Sequence, residues 1–238
     1  MSLNPYDIDF DNEEFSGLAR LFPLPGTVLF PHVMQPLHIF EPRYQELMED
    51  ALDSDKLITM ASIQPGVVAA QPHPPLDPIA CVGRVVTHVQ LPDGRYNLLL
   101  LGLRRVRVIR ELAPERAFRQ AEVCLLHDLY PPDGDESRAD LQSRLLEIFC
   151  RWTSMSRDEV IEELFNREEK QGMLGALTDM IAYSLDFDHD IKQKFLAEVN
   201  VDRRARMLLE EFQQREQAPL WEPPDQSPRK FPPDFSLN

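Results

Sequence analysis

The sequence predicts an α+β fold, in which a β-rich, barrel-like half with one helix precedes an all-helical half. Three observations support this prediction. Four prolines interrupt the uncharged run from residue 21 to 40, which excludes a long helix there. Short apolar segments separated by turn residues continue to about residue 130, as expected for strands. After residue 135 the apolar residues recur at helical spacing.

The uncharged run, LFPLPGTVLFPHVMQPLHIF at residues 21–40, is long enough to span a membrane. However, each of its four prolines removes a backbone donor and disrupts the preceding helical turn. His32, Gln35 and His38 would also lie in hydrocarbon. We therefore expect short strands joined by turns, with prolines at strand ends or on a sheet edge. The predicted strands are 20–24, 28–30 and 35–40.

One helix and several strands complete the predicted β-rich half. Pro42 suits the first turn of a helix, and the apolar residues from 44 to 52 fall on one of its faces. Pro-Asp-Gly at 92–94 predicts a tight hairpin turn. The continuous apolar run Leu98–Leu101 indicates a strand covered on both faces, and hence a closed or barrel-like sheet. The other predicted strands are 57–63, 80–91, 95–103, 105–109 and 118–126.

Helical stripes follow the break PPDGD at 131–135. Ser156 and Glu159 form a capping-box pattern, and Asn200 is predicted to cap the last helix. We therefore divide the chain into four parts. These are an acidic N-terminal arm (1–16), a β-rich subdomain (17–130), a helical subdomain (131–217) and a Pro-rich extended tail (218–238).

Composition excludes several classes of function. The formal net charge of −15 disfavours binding to phosphate backbones. The densest basic run lies within residues 104–110, and strand alternation predicts that it is the outer face of a strand. Three cysteines at long spacings indicate neither a disulfide framework nor a metal site. With no basic, apolar leader at the N-terminus, we expect a cytoplasmic protein.

Motifs for catalysis, cofactors and metals are absent from the sequence. It contains no G-x-G-x-x-G, no P-loop, no G-x-S-x-G, no H-E-x-x-H and no C-x-x-C. We therefore predict no catalytic, cofactor-binding or metal-binding residues. One alternative stays open, a hydrolase with a dispersed site in which Cys124 and His127 form a thiol–imidazole pair. Against it, Cys124 lies in an apolar strand, where a thiol usually behaves as a small hydrophobe.

The segment VLFPHVM at residues 28–34 has two interpretations. Its large side chains could pack in the core and along an edge strand. Alternatively, they could line a solvent-facing apolar groove that binds extended polypeptide, near residues 28–40 and the interface of the two subdomains. The candidate polypeptide-binding residues are Phe30, His32, Met34 and Phe40.

Three segments together resemble the N-terminal domain of Lon proteases. They are residues 21–52, residues 79–108 and the helical residues 177–212. Within the second segment, the positions that match the family pattern are Gly83, Asp93, Gly94, Gly102 and Arg105. The resemblance covers roughly residues 18–215.

The resemblance implies a PUA-like, barrel-like subdomain followed by a helical subdomain, and a role in substrate recognition. The chain carries no ATPase motif and no Ser-Lys protease domain. We therefore expect a free-standing, non-enzymatic module that binds extended polypeptide or a protein partner, with no membrane contact. An RNA-binding alternative is suggested by the PUA-like fold class alone, and fold does not determine function.

Overall fold

The computed structural model describes residues 15–64, 73–153, 155–160 and 173–216. Most of the predicted acidic arm and all of the predicted Pro-rich tail lie outside the described residues, so both remain predictions. The strands are β1 (Leu18–Pro25), β2 (Met34–Ile39), β3 (Leu57–Ile63), β4 (Ile79–Gln90), β5 (Tyr96–Glu111) and β6 (Arg119–Leu126). The helices are α1 (Pro42–Leu52), a 3-10 turn (Pro132–Gly134), α2 (Asp135–Thr153), α3 (Met173–Ser184), α4 (His189–Ala197) and α5 (Val201–Glu216), and residues 157–160 are also helical.

The sheet closes into a barrel, as the α+β prediction expects. Its strand order is β2-β5-β4-β3-β1-β6, and β6 also pairs with β5. β1 and β3 pair in parallel, whereas the other pairs are antiparallel. Because the ring runs through β5, β4, β3, β1 and β6, β2 is an additional strand attached to β5. The predicted α+β, barrel-like class is confirmed.

β5 is one strand of 16 residues, although the sequence predicted two separate strands there. One edge of β5 pairs along most of its length with β4. The opposite edge pairs first with β2, at residues 96–101, and then with β6, at residues 105–111. On this edge, residues 102–104 separate the part of β5 that pairs with β2 from the part that pairs with β6.

A β-bulge in β5 explains why strand alternation failed for the arginine run. Val82 of β4 pairs with Arg104, and Gly83 pairs with Gly102, so Leu103 is the extra residue. The bulge shifts the alternation by one position, and Arg105 continues the covered face on which Leu100 lies. Arg105 is consequently buried, and the prediction that the basic run is an outer strand face is wrong at this position.

The predicted strand at residues 28–30 is wrong, because these residues form a buried crossing segment instead. Val28, Leu29 and Phe30 are core residues without strand pairing. The segment packs across β5, where Gly102 donates to the carbonyl of Val33 at 2.9 Å and accepts from the N–H of His32 at 2.9 Å. A Cβ at Gly102 would lie 2.0 Å from the carbonyl oxygen of Phe30, so only glycine permits this approach.

Local turn and capping predictions are confirmed. Gly94 has a φ of +87°, as the Pro-Asp-Gly turn requires, and the N–H of Leu91 donates to the carbonyl of Arg95 at 2.7 Å. The capping box is formed, because the N–H of Glu159 donates to the Ser156 hydroxyl at 3.2 Å. The Asn200 side chain accepts from the N–H of Arg203 at 3.0 Å and caps α5.

Two hydrophobic clusters form the core. The smaller one fills the barrel and includes Leu21, Val82 and Val106. The larger one contains buried side chains from both predicted subdomains, from Phe22 in β1 to Phe212 in α5. The helices therefore pack against the outside of the β-rich half through one continuous core.

Candidate functional site

A pocket lies where the edge of β5 passes from β2 to β6. Because neither strand covers residues 102–104, a gap opens between the Pro31–His32 turn and the end of β6. The pocket has a volume of about 210 Å³ and is open to solvent on one side. We call it the junction pocket, and its lining residues are Pro31, His32, Leu103, Arg104, Arg105, Leu126, His127, Asp128 and Tyr130.

Buried ion pairs lie beneath the junction pocket and join the two halves of the molecule. The four residues concerned, which we call the buried quartet, are Arg105, Asp128, Asp179 and Arg204. Arg105 of β5 forms two hydrogen bonds to Asp179 of α3, one of them 3.1 Å long. Arg204 of α5 donates to both carboxylate oxygens of Asp128, at 3.0 and 2.6 Å.

Backbone carbonyl groups also accept hydrogen bonds from the two arginines of the quartet. Arg105 Nε donates to the carbonyl of Leu196, and Arg204 Nη1 donates to the carbonyl of Glu198, at 2.9 and 2.7 Å. Burial by itself would raise the pKa of Asp128, but Arg204 and Arg105 outweigh it and hold that pKa below its ordinary value. Asp128 is therefore ionised at neutral pH. At Asp179 burial has the larger effect and raises the pKa above its ordinary value, although Arg105 and Arg204 oppose the shift.

The quartet was not predicted from the sequence. Arg204 lies three residues after Val201 and four before Leu208, on the buried face of α5. Asp179 likewise lies inside a helix whose residues from 174 to 182 are all buried. A charged residue inside an apolar stripe was the available signal, and two such residues of opposite charge on different helices indicate a buried pair.

The four predicted polypeptide-binding residues do not form one site. Phe30 is 0% and Met34 8% exposed, so both are core residues, and the prediction that they line a solvent-facing groove is wrong. The reason is that Phe30 belongs to the buried crossing segment, whereas Met34 points into the barrel cluster. His32 lines the junction pocket, and Phe40 is 47% exposed beyond the end of β2. Measured along β5, His32 and Phe40 are roughly 25 Å apart.

Phe40 belongs to a second exposed region, at the hairpin end of the sheet. His38 of β2 and Val89 of β4 both pair with Asn97 of β5, so the three side chains share one face. Val89 is 59% exposed. The rings of His38 and Phe40 are stacked, with centroids 6.1 Å apart. We call this region the hairpin patch, and it comprises His38, Phe40, Val89, Arg95 and Asn97.

Hydrogen bonds fix the orientation of the His38 ring in the hairpin patch. Its Nδ1 lies 2.6 Å from the side-chain amide oxygen Oδ1 of Asn97, and its Nε2 lies 3.3 Å from Arg95 Nη1. Since Arg95 can only donate, Nε2 accepts this bond and Nδ1 donates to Asn97. Arg95 is in turn paired with Asp93, at 2.7 Å. The patch therefore presents an aromatic pair, in which hydrogen bonds hold His38, and an exposed valine across β5.

The outer edge of β2 offers little main-chain pairing. Successive residues of an antiparallel strand direct their backbone groups alternately toward and away from the neighbour. Pro36 has no N–H, which places it in the set that faces away from β5. Its carbonyl accepts from Gln35 Nε2 at 3.0 Å, and the carbonyl of Phe40 accepts from Gln45 Nε2 at 3.1 Å. Recognition at this end of the sheet must therefore depend mainly on side chains.

The thiol–imidazole pair of the hydrolase alternative is not assembled. Cys124 and His127 are both exposed, and no hydrogen bond joins them. Exposure of Cys124 also contradicts the expectation that this thiol is a buried hydrophobe, because it lies on the outer face of β6 opposite Arg107. Burial raises the pKa of the Cys81 thiol, which is therefore protonated. All three cysteines, each within the described residues, are free.

The described residues hold neither a metal-type cluster nor a membrane-spanning helix. Among residues 15–64, 73–153, 155–160 and 173–216, no group of three or more His, Cys, Asp or Glu side chains could hold a metal ion. Within the same ranges, no helix has both the length and the apolar character needed to cross a membrane.

Comparison with known families identifies one match that covers most of the chain. Residues 19–214 match the ATP-dependent protease La (LON) substrate-binding domain. The Lon protease of Dictyoglomus thermophilum is 29% identical over 196 residues, which are 82% of this chain and 24% of that protein. The Lon protease of Cytophaga hutchinsonii is 24% identical over 216 residues, which are 86% of this chain and 25% of that protein. The chain thus spans about a quarter of the length of these curated relatives.

Two solved structures share the fold. A Lon N-terminal domain protein from Xanthomonas campestris superposes with a TM-score of 0.57 at 22% identity, over 81% of this chain and 97% of that one. The N-terminal domain of the Mycobacterium avium complex Lon protease gives a TM-score of 0.59 at 15% identity, over 81% and 96% of the two chains.

Proposed function

The chain belongs to the family of ATP-dependent protease La (LON) substrate-binding domains, and from this premise we propose that it binds extended polypeptide through the hairpin patch. The observation that carries the proposal is the exposure of two large apolar side chains, Phe40 and Val89, from the strands that flank β5 at one end of the sheet. Single exposed apolar residues are common, but neighbouring ones of this size are typical of interaction sites.

The chemistry of the patch suits polypeptides of varied sequence. Phe40 and the stacked ring of His38 offer flat contact area, whereas Arg95 and Asn97 supply polar groups at its margin. Such a surface can accept different apolar side chains with little selectivity. Because the outer edge of β2 has few free backbone groups, we expect weak binding, in the range of tens of micromolar.

We further propose that the chain acts as a non-catalytic module in the cytoplasm. The unassembled Cys124–His127 pair and the protonated Cys81 thiol support a binding role over hydrolysis. Free cysteines are consistent with a reducing compartment.

A fluorescence anisotropy titration tests the proposal. The probe is a fluorescein-labelled, C-terminally amidated peptide composed of Leu, Phe, Ser and Gly, which remains unfolded. Val89→Ser and Phe40→Ser should each weaken binding by about 3–10-fold, because each removes roughly 1 kcal/mol of apolar contact.

Ile109→Ser is the matched control. Ile109 is 57% exposed on β5, close to the 59% of Val89, but lies beyond the junction pocket at the other end of that strand. The proposal expects Ile109→Ser to bind within about twofold of the parent protein. Equal losses for Val89→Ser and Ile109→Ser, or no binding by the parent protein, would refute it.

A further inference from the structure

We propose that the junction pocket binds a carboxylate group of a polypeptide, carried either by its C-terminus or by an acidic side chain. This inference rests on the proposed function, because it assigns a second contact to the same class of ligand. It does not use the hairpin patch, which lies roughly 25 Å away along β5.

Hydrogen-bond donors predominate in the pocket. Arg104 contributes a guanidinium group whose Nη1 donates to the carbonyl of Leu103, at 3.0 Å, and whose other donors remain available. His127, which is exposed, brings an imidazole that can donate from a ring nitrogen. Asp128 is the main acceptor, but its oxygens already accept from Arg105 and Arg204. A ligand that fits must therefore be rich in acceptors.

The charge balance favours an anion. The buried quartet leaves no surplus negative charge beside the pocket, because its two carboxyl groups face two arginines. Arg104 lines the same pocket and, among the described residues, pairs with no carboxylate. One positive charge is thus left in a cleft with low-dielectric walls of Pro31, Leu103 and Leu126, where its field is only partly screened.

Size and net charge select a carboxylate among possible anions. At about 210 Å³ the pocket is smaller than the roughly 300–1,000 Å³ typical of sites for cofactors and drug-sized ligands. It can hold one terminal group with its adjoining side chain. A phosphate polymer would also meet the net charge of −15 of the whole chain, whereas a single carboxylate responds mainly to the nearby guanidinium.

Two small probes test the inference on the full chain. N-acetyl-leucine carries a free carboxylate, and N-acetyl-leucinamide has the same shape without it. Binding is followed by NMR through the methyl shifts of Leu103 and Leu126. We expect the acid to bind about tenfold more tightly than the amide, since hydrogen bonds to charged groups are among the strongest. N-acetyl-glutamic acid α-amide shows whether a side-chain carboxylate is accepted equally.

Arg104→Gln should reduce the preference for the acid to less than about twofold. Arg107→Gln removes the same charge from an exposed position on the same strand and should leave the preference intact. Arg104→Lys, which keeps the charge, should retain part of it.

Equal binding of acid and amide by the parent protein would overturn the inference, as would equal losses in the two glutamine variants. Displacement of N-acetyl-leucine by an equal concentration of inorganic phosphate would reassign the pocket to phosphates and also overturn it. The probes are too short to reach the hairpin patch, so these outcomes are independent of the peptide titrations with Phe40→Ser and Val89→Ser.

Discussion

The buried quartet and the hairpin patch use opposite physical means for opposite purposes. The quartet pairs each of its four charged groups beneath the helices. Hydrogen bonds that involve β5 and the helices α3, α4 and α5 fix its geometry. The patch places apolar side chains in water, and only its polar members are held in place. Removing a group from the quartet should therefore reduce stability, whereas removing one from the patch should weaken recognition of a polypeptide.

Asp179→Ala should give the largest loss of stability. The change leaves Arg105 buried without its main counter-ion, and breaking a buried pair in this way costs about 3–5 kcal/mol. Guanidinium-induced unfolding measures the loss. Glu122→Ala is the control, because Glu122 pairs with the exposed Arg110 and should contribute about 0–1 kcal/mol. Similar losses for the two variants would remove the contrast between buried and exposed pairs.

Gly102→Ala should come next, at about 3 kcal/mol. The new methyl group would lie 2.0 Å from the backbone oxygen of Phe30, which cannot move without displacing the crossing segment. Gly26→Ala is the comparison variant. A Cβ at Gly26 meets no atom within 4 Å, so only its φ of +68° is strained, which costs about 1–2 kcal/mol. A smaller loss for Gly102→Ala than for Gly26→Ala in thermal unfolding would contradict the packing account of Gly102.

The quartet should also make stability depend on pH in the acidic range. Because the folded-state pKa of Asp128 is lowered, its contribution is complete above the unfolded pKa of about 3.9 and is lost as pH falls below that value. Asp179, whose folded-state pKa is raised by burial, contributes in the opposite direction. The share of Asp128 is isolated by measuring unfolding free energies of the parent protein and of Asp128→Asn from pH 7 to pH 3. Asp128→Asn should be less stable at pH 7 and should fall less steeply. A steeper acid dependence in the variant would contradict this assignment.

The smallest effect on stability is expected in the hairpin patch. Val89→Ser should change the free energy of unfolding by less than about 0.5 kcal/mol, because the side chain is already mostly in water. The same variant should lose peptide binding severalfold. A large loss of stability in urea unfolding would show that Val89 supports the hairpin instead of contacting a ligand.

Sequence reasoning identified the elements that depend on local pattern. The α1 stripe, the Pro-Asp-Gly hairpin and the Asn200 cap all follow from residue spacing within a few turns. Phe40, predicted as the last residue of a strand, lies one residue beyond the end of β2 and is exposed, and its role in binding stays a prediction. These features need no knowledge of distant parts of the chain, and their physical causes lie in adjacent residues.

The features that sequence reasoning missed depend on contacts between distant residues. The bulge at Leu103 shifted the alternation, so Arg105 left the barrel-facing set of Leu101 and Leu103 and joined the outer face, where the helices bury it. Phe30 became a core residue because Gly102, far along the chain, allows the crossing segment to approach β5. The junction pocket exists only because β2 and β6 share one edge of β5, which no local pattern encodes.

The most direct test of the central claim is an NMR map of the binding surface. The protein is labelled with nitrogen-15 and titrated with the amidated, unfolded peptide. Backbone amide shifts should change at His38, Phe40, Val89 and Asn97 and should stay unchanged at the quartet residues Arg105, Asp179 and Arg204. Shift changes centred on the helical half, with none in the hairpin patch, would contradict the claim that this patch recognises polypeptide.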